Sequence, residues 1–162
     1  MKIILLAAAL LAPLPALAQA PPPPKLFTAG ADIAALIAKA KAEQKSPAIN
    51  SVQPIASLAP YRVLLEYRTG LTPPSVHHGE AELIYVIQGG ATLVTGGTLA
   101  GVIPARPGST TDSGTGIEGA VTPRKLTTGD YVMVPPDTAH QFQEVQGEFV
   151  VMSVHLPMPA AK

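Results

Sequence analysis

The sequence predicts an all-β domain, a closed barrel or jelly roll, with one amphipathic helix in front of it. After Pro60 the hydrophobic pattern changes from a helical period to an alternating one, which is typical of strands with one buried face. Glycine and proline interrupt these alternating runs at short intervals, so we expect seven or eight short strands. The 162-residue chain contains no cysteine, and packing rather than disulfides must hold the fold together.

The alternating runs define the predicted strands. They are residues 61–68, 82–87, 91–95, 119–126, 131–134, 140–145 and 149–156. Turns are expected between them at Gly89-Gly90, Gly96-Gly97, Gly129-Asp130 and Gln146-Gly147, because these residue types favour turn conformations. Residues 98–116 are rich in glycine, threonine, serine and proline without a clear period, so we expect a long loop there.

The N-terminal residues have the layout of a secretory signal peptide. Lys2 precedes a short apolar run, and Ala18 and Ala20 are small residues suited to a cleavage site. A membrane anchor is the alternative, but the run is shorter than the roughly 20 residues that span a bilayer. We therefore expect residues 1–20 to be removed on export and the mature protein to be periplasmic or secreted. The proline-rich residues 21–29 are expected to form a spacer, residues 30–60 the helix and a connector, and residues 61–157 the barrel.

The predicted helix covers residues 31–44. Ile33, Leu36, Ile37 and Ala40 recur at helical spacing and form a narrow apolar stripe. A helix with such a stripe packs against the outside of a barrel or at a subunit contact. Together with the odd-numbered face of residues 61–68, it leads us to expect a homodimer.

The balance of basic and acidic residues limits the kinds of partner that the protein can attract. Eleven basic and eleven acidic residues give a formal net charge of zero. Such a balance provides no long-range attraction to nucleic acid, or to an anionic membrane once the signal peptide is removed. We expect the partner to be a small molecule.

Histidines and acidic residues cluster beside two of the predicted strands. His77, His78, Glu80 and Glu82 fall within six residues, and His140 follows a proline turn later in the chain. Antiparallel hairpins can return both clusters to the same end of a barrel. Imidazole and carboxylate together suit iron, manganese, nickel, copper or zinc, so the pattern predicts a divalent metal site.

The first cluster resembles the first motif of the cupin superfamily. That motif has a glycine, five residues, His-x-His, three or four residues, a glutamate, six residues and a second glycine. In this chain Gly70 precedes the histidine pair, and the spacing from Glu82 to Gly89 matches fully.

The second cluster resembles the second cupin motif. Gly129, Pro135 and His140 match it, while Asp137 stands where glycine is usual and Glu144 where asparagine is frequent. The resemblance covers residues 70–156 and implies a jelly-roll barrel with a metal bound by one histidine of the pair, Glu82 and His140. It does not specify the reaction, because cupins include dioxygenases, isomerases, other enzymes and binding proteins.

The adjacent histidines depart from the motif, which has one residue between its two histidines. With three residues before the glutamate the matching histidine is His78 and the first position is Val76; with four they are His77 and Ser75. Strand parity favours His78, whereas a bulge at Gly79 would turn His77 inward instead. Both alternatives remain open at this point.

Arginines offer an alternative partner for Glu82 and a means of binding substrate. Arg62 and Arg68 lie on one face of residues 61–68, which is either solvated or the wall of a polar pocket. Either arginine could form a salt bridge with Glu82. If they face inward, they are candidates for binding a substrate carboxylate.

Glu80 and His155 are the candidate catalytic residues for proton transfer. The simpler alternatives are that Glu80 is exposed to solvent and that His155 is packed at the rim of the barrel.

The sequence leaves two functions open. The first is a metal-dependent enzyme of the dioxygenase or isomerase type acting on a small organic substrate, and the second is a non-catalytic module that binds a sugar or organic acid. The incomplete histidine pair favours the second.

The signal peptide leads to a direct test. Protein recovered from the periplasm or medium should begin at Gln19 or Pro21, because small residues precede both positions. Intact-mass spectrometry of the exported protein measures this. A mass that retains residues 1–18 would contradict the prediction.

Overall fold

The structure is a computed structural model that describes residues 23–159; the predicted signal peptide lies outside the described residues. One helix and eight strands follow in chain order. They are α1 (Gly30–Glu43), β1 (Ser51–Leu58), β2 (Tyr61–Arg68), β3 (Ser75–His77), β4 (Glu80–Ala100), β5 (Thr111–Ser113), β6 (Gly116–Thr127), β7 (Tyr131–Val134) and β8 (His140–Pro157).

All eight strands belong to one antiparallel sheet that curls into the predicted jelly-roll barrel. One path through it runs β1-β2-β8-β3-β5, and β4 pairs with β6, β7 and β8. The long strands β4 and β8 pair along most of their length, with register shifts near Gly89 and Gly90. At each shift an extra residue bends the strand, so two strands can curve around the barrel without ending.

Several predicted boundaries are confirmed and several are wrong. The runs 61–68 and 131–134 are β2 and β7 exactly as predicted, and the turn at Gly129-Asp130 is present. The turns at Gly89-Gly90, Gly96-Gly97 and Gln146-Gly147 are wrong, because these pairs lie inside continuous strands. Gly89 and Gly147 take φ angles of 81° and 61°, so their left-handed conformations produce bulges rather than chain reversals.

Three strands were not predicted. β1 lies within the expected connector, and β3 and β5 are only three residues long. The predicted loop 98–116 is correspondingly shorter, because Thr98, Leu99 and Ala100 pair with the first residues of β6. Short runs carry too little periodicity to be recognised as strands.

Two hydrophobic cores lie on opposite sides of the curled sheet. The barrel interior is filled by inward residues of β4, β6, β7 and β8. Its members are Ile84, Val86, Ala91, Leu93, Leu126, Val134, Phe142, Phe149 and Val151. The second core lies outside the barrel, where α1 packs on β1 and β2, and it contains the whole predicted apolar stripe. Its members are Ile33, Leu36, Ile37, Ala40, Ile55, Leu65, Tyr67, Ile87 and Val150.

The helix therefore covers the sheet surface that was expected to meet a second copy. Leu65 and Tyr67, on the odd-numbered face of β2, are 0% and 2% exposed beneath α1. Because α1 covers this surface, it no longer supports a contact between two copies. The homodimer itself stays a prediction. No helix among residues 23–159 combines the length and apolar character that crossing a membrane requires.

Leu65 offers a test of the outer core. The substitution Leu65→Ala should lower the free energy of unfolding by about 2–5 kcal/mol, because it leaves a cavity beneath α1. Leu58→Ala is the matched control, since Leu58 is 54% exposed at the end of β1. Urea unfolding monitored by circular dichroism measures both. Equal losses in the two variants would contradict the packing of α1 on β2.

Candidate metal centre

Pairing of the strands places the charged residues of the barrel interior in one row. Arg62 of β2 lies opposite His155 of β8, and His155 lies opposite Glu82 of β4. Cross-strand partners in an antiparallel sheet point to the same face, so these three side chains are neighbours on the inner surface. Glu82 and His155 are 4% and 5% exposed, so both lie inside the barrel.

Two more histidines approach Glu82 from the other side. His140 is the first residue of β8 and pairs through the backbone with Ser75 of β3, and His77 is the last residue of β3. The Nε2 atoms of His77 and His140 lie 3.4 and 3.2 Å from Oε2 of Glu82. Side chains from β3 and β8 thus converge on one carboxylate oxygen of β4.

The arrangement leaves that oxygen without a hydrogen bond. Among the described residues, Oε2 of Glu82 is buried and has no hydrogen-bond partner, although two imidazole nitrogens are close. The close nitrogens are therefore misaligned for hydrogen bonding. An unsatisfied buried carboxylate oxygen is costly unless another group, such as a cation, compensates it.

Hydrogen bonds at Nδ1 orient His77 and His140. Nδ1 of His140 lies 3.1 Å from the carbonyl oxygen of Thr138, which can only accept, so Nδ1 carries the proton. Nδ1 of His77 lies 2.8 Å from the hydroxyl of Thr111. When neutral, His140 therefore presents an unprotonated Nε2 toward Glu82, as a metal-binding histidine does, and His77 is placed to do the same.

His155 is oriented in a similar way by Glu80. Its Nδ1 lies 3.2 Å from Oε2 of Glu80, and the same oxygen accepts a hydrogen bond from Nη2 of Arg62 at 2.8 Å. Glu80 is 8% exposed, so the alternative that it is solvent-exposed is wrong. Arg62 pairs with Glu80 and does not line the cavity at the centre, which corrects its assignment as a substrate-binding residue.

His78 faces away from the centre, which corrects its assignment as a metal ligand. Gly79, with φ 66°, turns the chain between β3 and β4, so residues 78, 80 and 82 do not form one extended segment. The two ring nitrogens of His78 each lie 2.9 Å from a carboxylate, of Asp112 and of Asp137. Hydrogen bonds to these carboxylates raise the pKa of His78 above its ordinary value.

Burial and charge shift the pKa values at the centre in different directions. Burial raises the pKa of Glu82, but His140 and His77 outweigh burial and hold that pKa well below its usual range. Burial lowers the pKa of His140, whereas the Glu82 carboxylate raises it by more, so the net shift is upward. Burial dominates at His155 and lowers its pKa. Glu82 is therefore ionised, and His155 favours the neutral form that can bind a metal.

A cavity of about 340 Å³ opens above His77, Glu82 and His140. Glu66 and Arg68 of β2 form its polar wall, with Nη1 of Arg68 2.6 Å from Oε2 of Glu66. Glu66 and Arg68, on the even-numbered face of β2, thus form a pocket wall. This was one of the two alternatives that the sequence left open for that face, the other being exposure to solvent. The alternative of a salt bridge between Glu82 and an arginine is wrong, because the two arginines pair with Glu66 and Glu80.

Several solved structures are similar to this chain in fold. The hydroquinone 1,2-dioxygenase PnpCD, solved with Cd²⁺ and 4-hydroxybenzonitrile, superposes with a TM-score of 0.55 over 76% of this chain and 72% of its own, at 17% identity. A cupin superfamily protein from Desulfitobacterium hafniense DCB-2 matches at 14% identity over 72% and 85% of the two chains, with a TM-score of 0.48. KdgF from Halomonas sp. matches at 16% identity over 72% and 87%, with a TM-score of 0.47.

The chain has the cupin fold. At these identities the similarity is one of fold alone. Neither a protein-family model nor a curated protein sequence matches the chain.

Two departures from the second cupin motif have a conformational explanation. Asp137 stands where cupins usually have glycine, and its φ is 57°; Glu144 stands at a frequent asparagine position, and its φ is 50°. Both positions need the left-handed conformation, which glycine and asparagine adopt most easily. In this chain Asp137 and Glu144 adopt that conformation although neither is the residue type best suited to it.

The donor set fits a divalent metal ion. Ligands held about 2.1 Å from one ion at tetrahedral angles are about 3.4 Å apart. The distances from Glu82 to His77 and His140, 3.4 and 3.2 Å, are close to that spacing. A cation between the three side chains would also compensate the unsatisfied oxygen of Glu82.

Sequence reasoning named Glu82 and His140, left His77 and His78 as alternatives, and missed part of their surroundings. The hydroxyl of Thr111, which orients His77, lies on the unpredicted strand β5. Asn50, which precedes β1 and donates to Oε2 of Glu66, lies in the expected connector. No local pattern marks either residue, because each reaches the centre only through long-range pairing.

Proposed function

We propose that this cupin binds a divalent metal ion through His77, Glu82 and His140, and acts on a small organic substrate in the cavity above it. The observation that carries the proposal is the buried, unsatisfied Oε2 of Glu82 between two imidazole nitrogens. Two imidazoles and one carboxylate suit iron, manganese, nickel or zinc. When bound, the ion would supply Lewis-acid or oxygen-activating chemistry of the kind that dioxygenases and isomerases use.

The cavity wall supports an anionic substrate. Nε of Arg68 is buried without a hydrogen-bond partner among residues 23–159, and its guanidinium lies 4.8 Å from the ring centre of Phe142. Glu66 already receives a hydrogen bond from Asn50 and another from Ser153. Arg68 and a divalent cation together would outweigh the charges of Glu66 and Glu82, so the loaded site would attract a carboxylate.

Export of the protein is part of the proposal. Residues 1–20 have the charged start, apolar run and small-residue ending of a signal peptide. A protein that acts outside the cytoplasm meets its small-molecule substrate there.

Metal binding should depend on the three converging residues. The variants His77→Ala, Glu82→Ala and His140→Ala should each bind Zn²⁺ and Mn²⁺ at least about tenfold more weakly than the wild type, because each removes one donor. His78→Ala is the matched control and should bind as tightly as the wild type, since its ring contacts Asp112 and Asp137 instead. Isothermal titration of metal-free protein measures all four. Unchanged affinity in Glu82→Ala and His140→Ala would contradict the metal centre.

Substrate recognition should depend on Arg68. In a panel of small aromatic and aliphatic carboxylates assayed by oxygen uptake and by product analysis, Arg68→Gln should raise KM about tenfold or more for carboxylates, and leave KM for the matching amides unchanged. Arg106→Gln is the control, because Arg106 does not line this cavity. Tight binding of a carboxylate without turnover by the metal-loaded protein would favour a binding module over an enzyme.

A further inference from the structure

We propose that two copies of this chain associate through an apolar face on the outside of the barrel, which is formed by β1, β2, β8, β4 and β7. The inference does not depend on the proposed metal centre, because that centre lies on the inner face of the sheet. It assigns the contact to a part of the outer surface that α1 leaves uncovered.

Strand register aligns the outward side chains of this face in rows. Arg62, His155, Glu82 and Val134 form one cross-strand row on the inner face, so their neighbours in sequence point outward. Two outward rows contain only aliphatic, aromatic and methionine side chains. They are Ala56, Val63, Val154, Leu83 and Met133, and next to them Leu65, Met152, Tyr85 and Tyr131.

Helix α1 covers only one corner of this face. Leu65 is buried beneath the helix, whereas Tyr131 and Met133 are 67% and 50% exposed at the opposite ends of the two rows. Leu58 and Tyr61, which pair with each other, extend the face beyond Val63 and are also exposed. The side chains in the middle of the rows are partly exposed, so no other described element of the chain lies over them.

The size of the face agrees with a second copy as the occupant. Five strands about 4.8 Å apart, with outward residues about 7 Å apart along each strand, give a face roughly 20 Å by 15 Å between the outermost backbone positions. With the side chains included, two such faces would bury on the order of 1,000 Å² in total, which is the lower limit of a specific interface. We therefore expect a dimer with a dissociation constant in the micromolar range.

The chemistry of the face favours a second copy over a different partner. None of the side chains in the two rows is charged, so the face requires no complementary charge on a partner. The formal net charge of the chain is zero, so two copies do not repel each other at long range. In a twofold dimer one patch meets the same patch of the other copy, and two identical twisted sheets pack face to face at about 30°.

Sedimentation velocity of the exported protein tests the association. The wild type should dimerise, and Met133→Lys and Tyr61→Lys should each weaken dimerisation at least about tenfold, because association would bury an unpaired charge. Leu71→Lys is the matched control, since Leu71 is 58% exposed but belongs to neither row, and it should dimerise as the wild type does. Thermal unfolding shows whether the variants fold. A wild type that stays monomeric at about 100 µM would overturn the proposal.

Nuclear magnetic resonance of the wild-type protein locates the interface without any substitution. In protein labelled with ¹³C at the methionine methyl groups, the resonances of Met133 and Met152 should shift as the concentration rises through the dissociation constant. A sample that sediments as a dimer but shows no shift at either methyl group would reject this face. The same conclusion would follow if Met133→Lys and Tyr61→Lys dimerised as tightly as Leu71→Lys.

Discussion

The placement of an ionised carboxylate inside the barrel is the constraint on which the rest of the site depends. Glu82 is 4% exposed, and its pKa is held well below the usual range despite burial. Such a charge is unfavourable in an apolar interior unless opposite charge or hydrogen bonds surround it. The imidazoles of His77 and His140 lie within 3.4 Å of Oε2 of Glu82, but that oxygen has no hydrogen-bond partner among the described residues. The proposed cation would compensate the charge that the hydrogen bonds leave.

The backbone supports this arrangement by keeping β4 and β8 continuous. Because these strands bend at bulges instead of ending, Glu82 and His155 stay in register at one end of their pairing, and Thr95 and His140 stay in register at the other. A chain reversal at Gly89 would have separated these pairs. Helix α1 packs against the outer face of β1 and β2, so β2 can present polar residues inward and apolar residues outward.

The sequence predicted the fold, and it predicted that Glu82 and His140 lie together in the candidate site, because both predictions depend on local patterns. Alternation identified the main strands, and the spacings to Glu82 and His140 identified two converging residues. The choice between His77 and His78 depended on the backbone at Gly79, whose φ of 66° reverses the parity on which the strand argument relied. The pairing of His155 with Glu80 and Glu82 depends on strand register across 75 and 73 positions of the chain, which no local pattern encodes.

The four histidines are distinguished by what holds Nδ1. In His77, His140 and His155 the Nδ1 atom contacts a hydroxyl, a backbone carbonyl and a carboxylate respectively, and Nε2 faces Glu82. In His78 both nitrogens contact carboxylates, and neither is left for the centre. Since neutral imidazole has one donor and one acceptor nitrogen, the partner of Nδ1 decides whether Nε2 can bind a metal. The partners of a histidine, more than its position in a motif, therefore determine its role in this barrel.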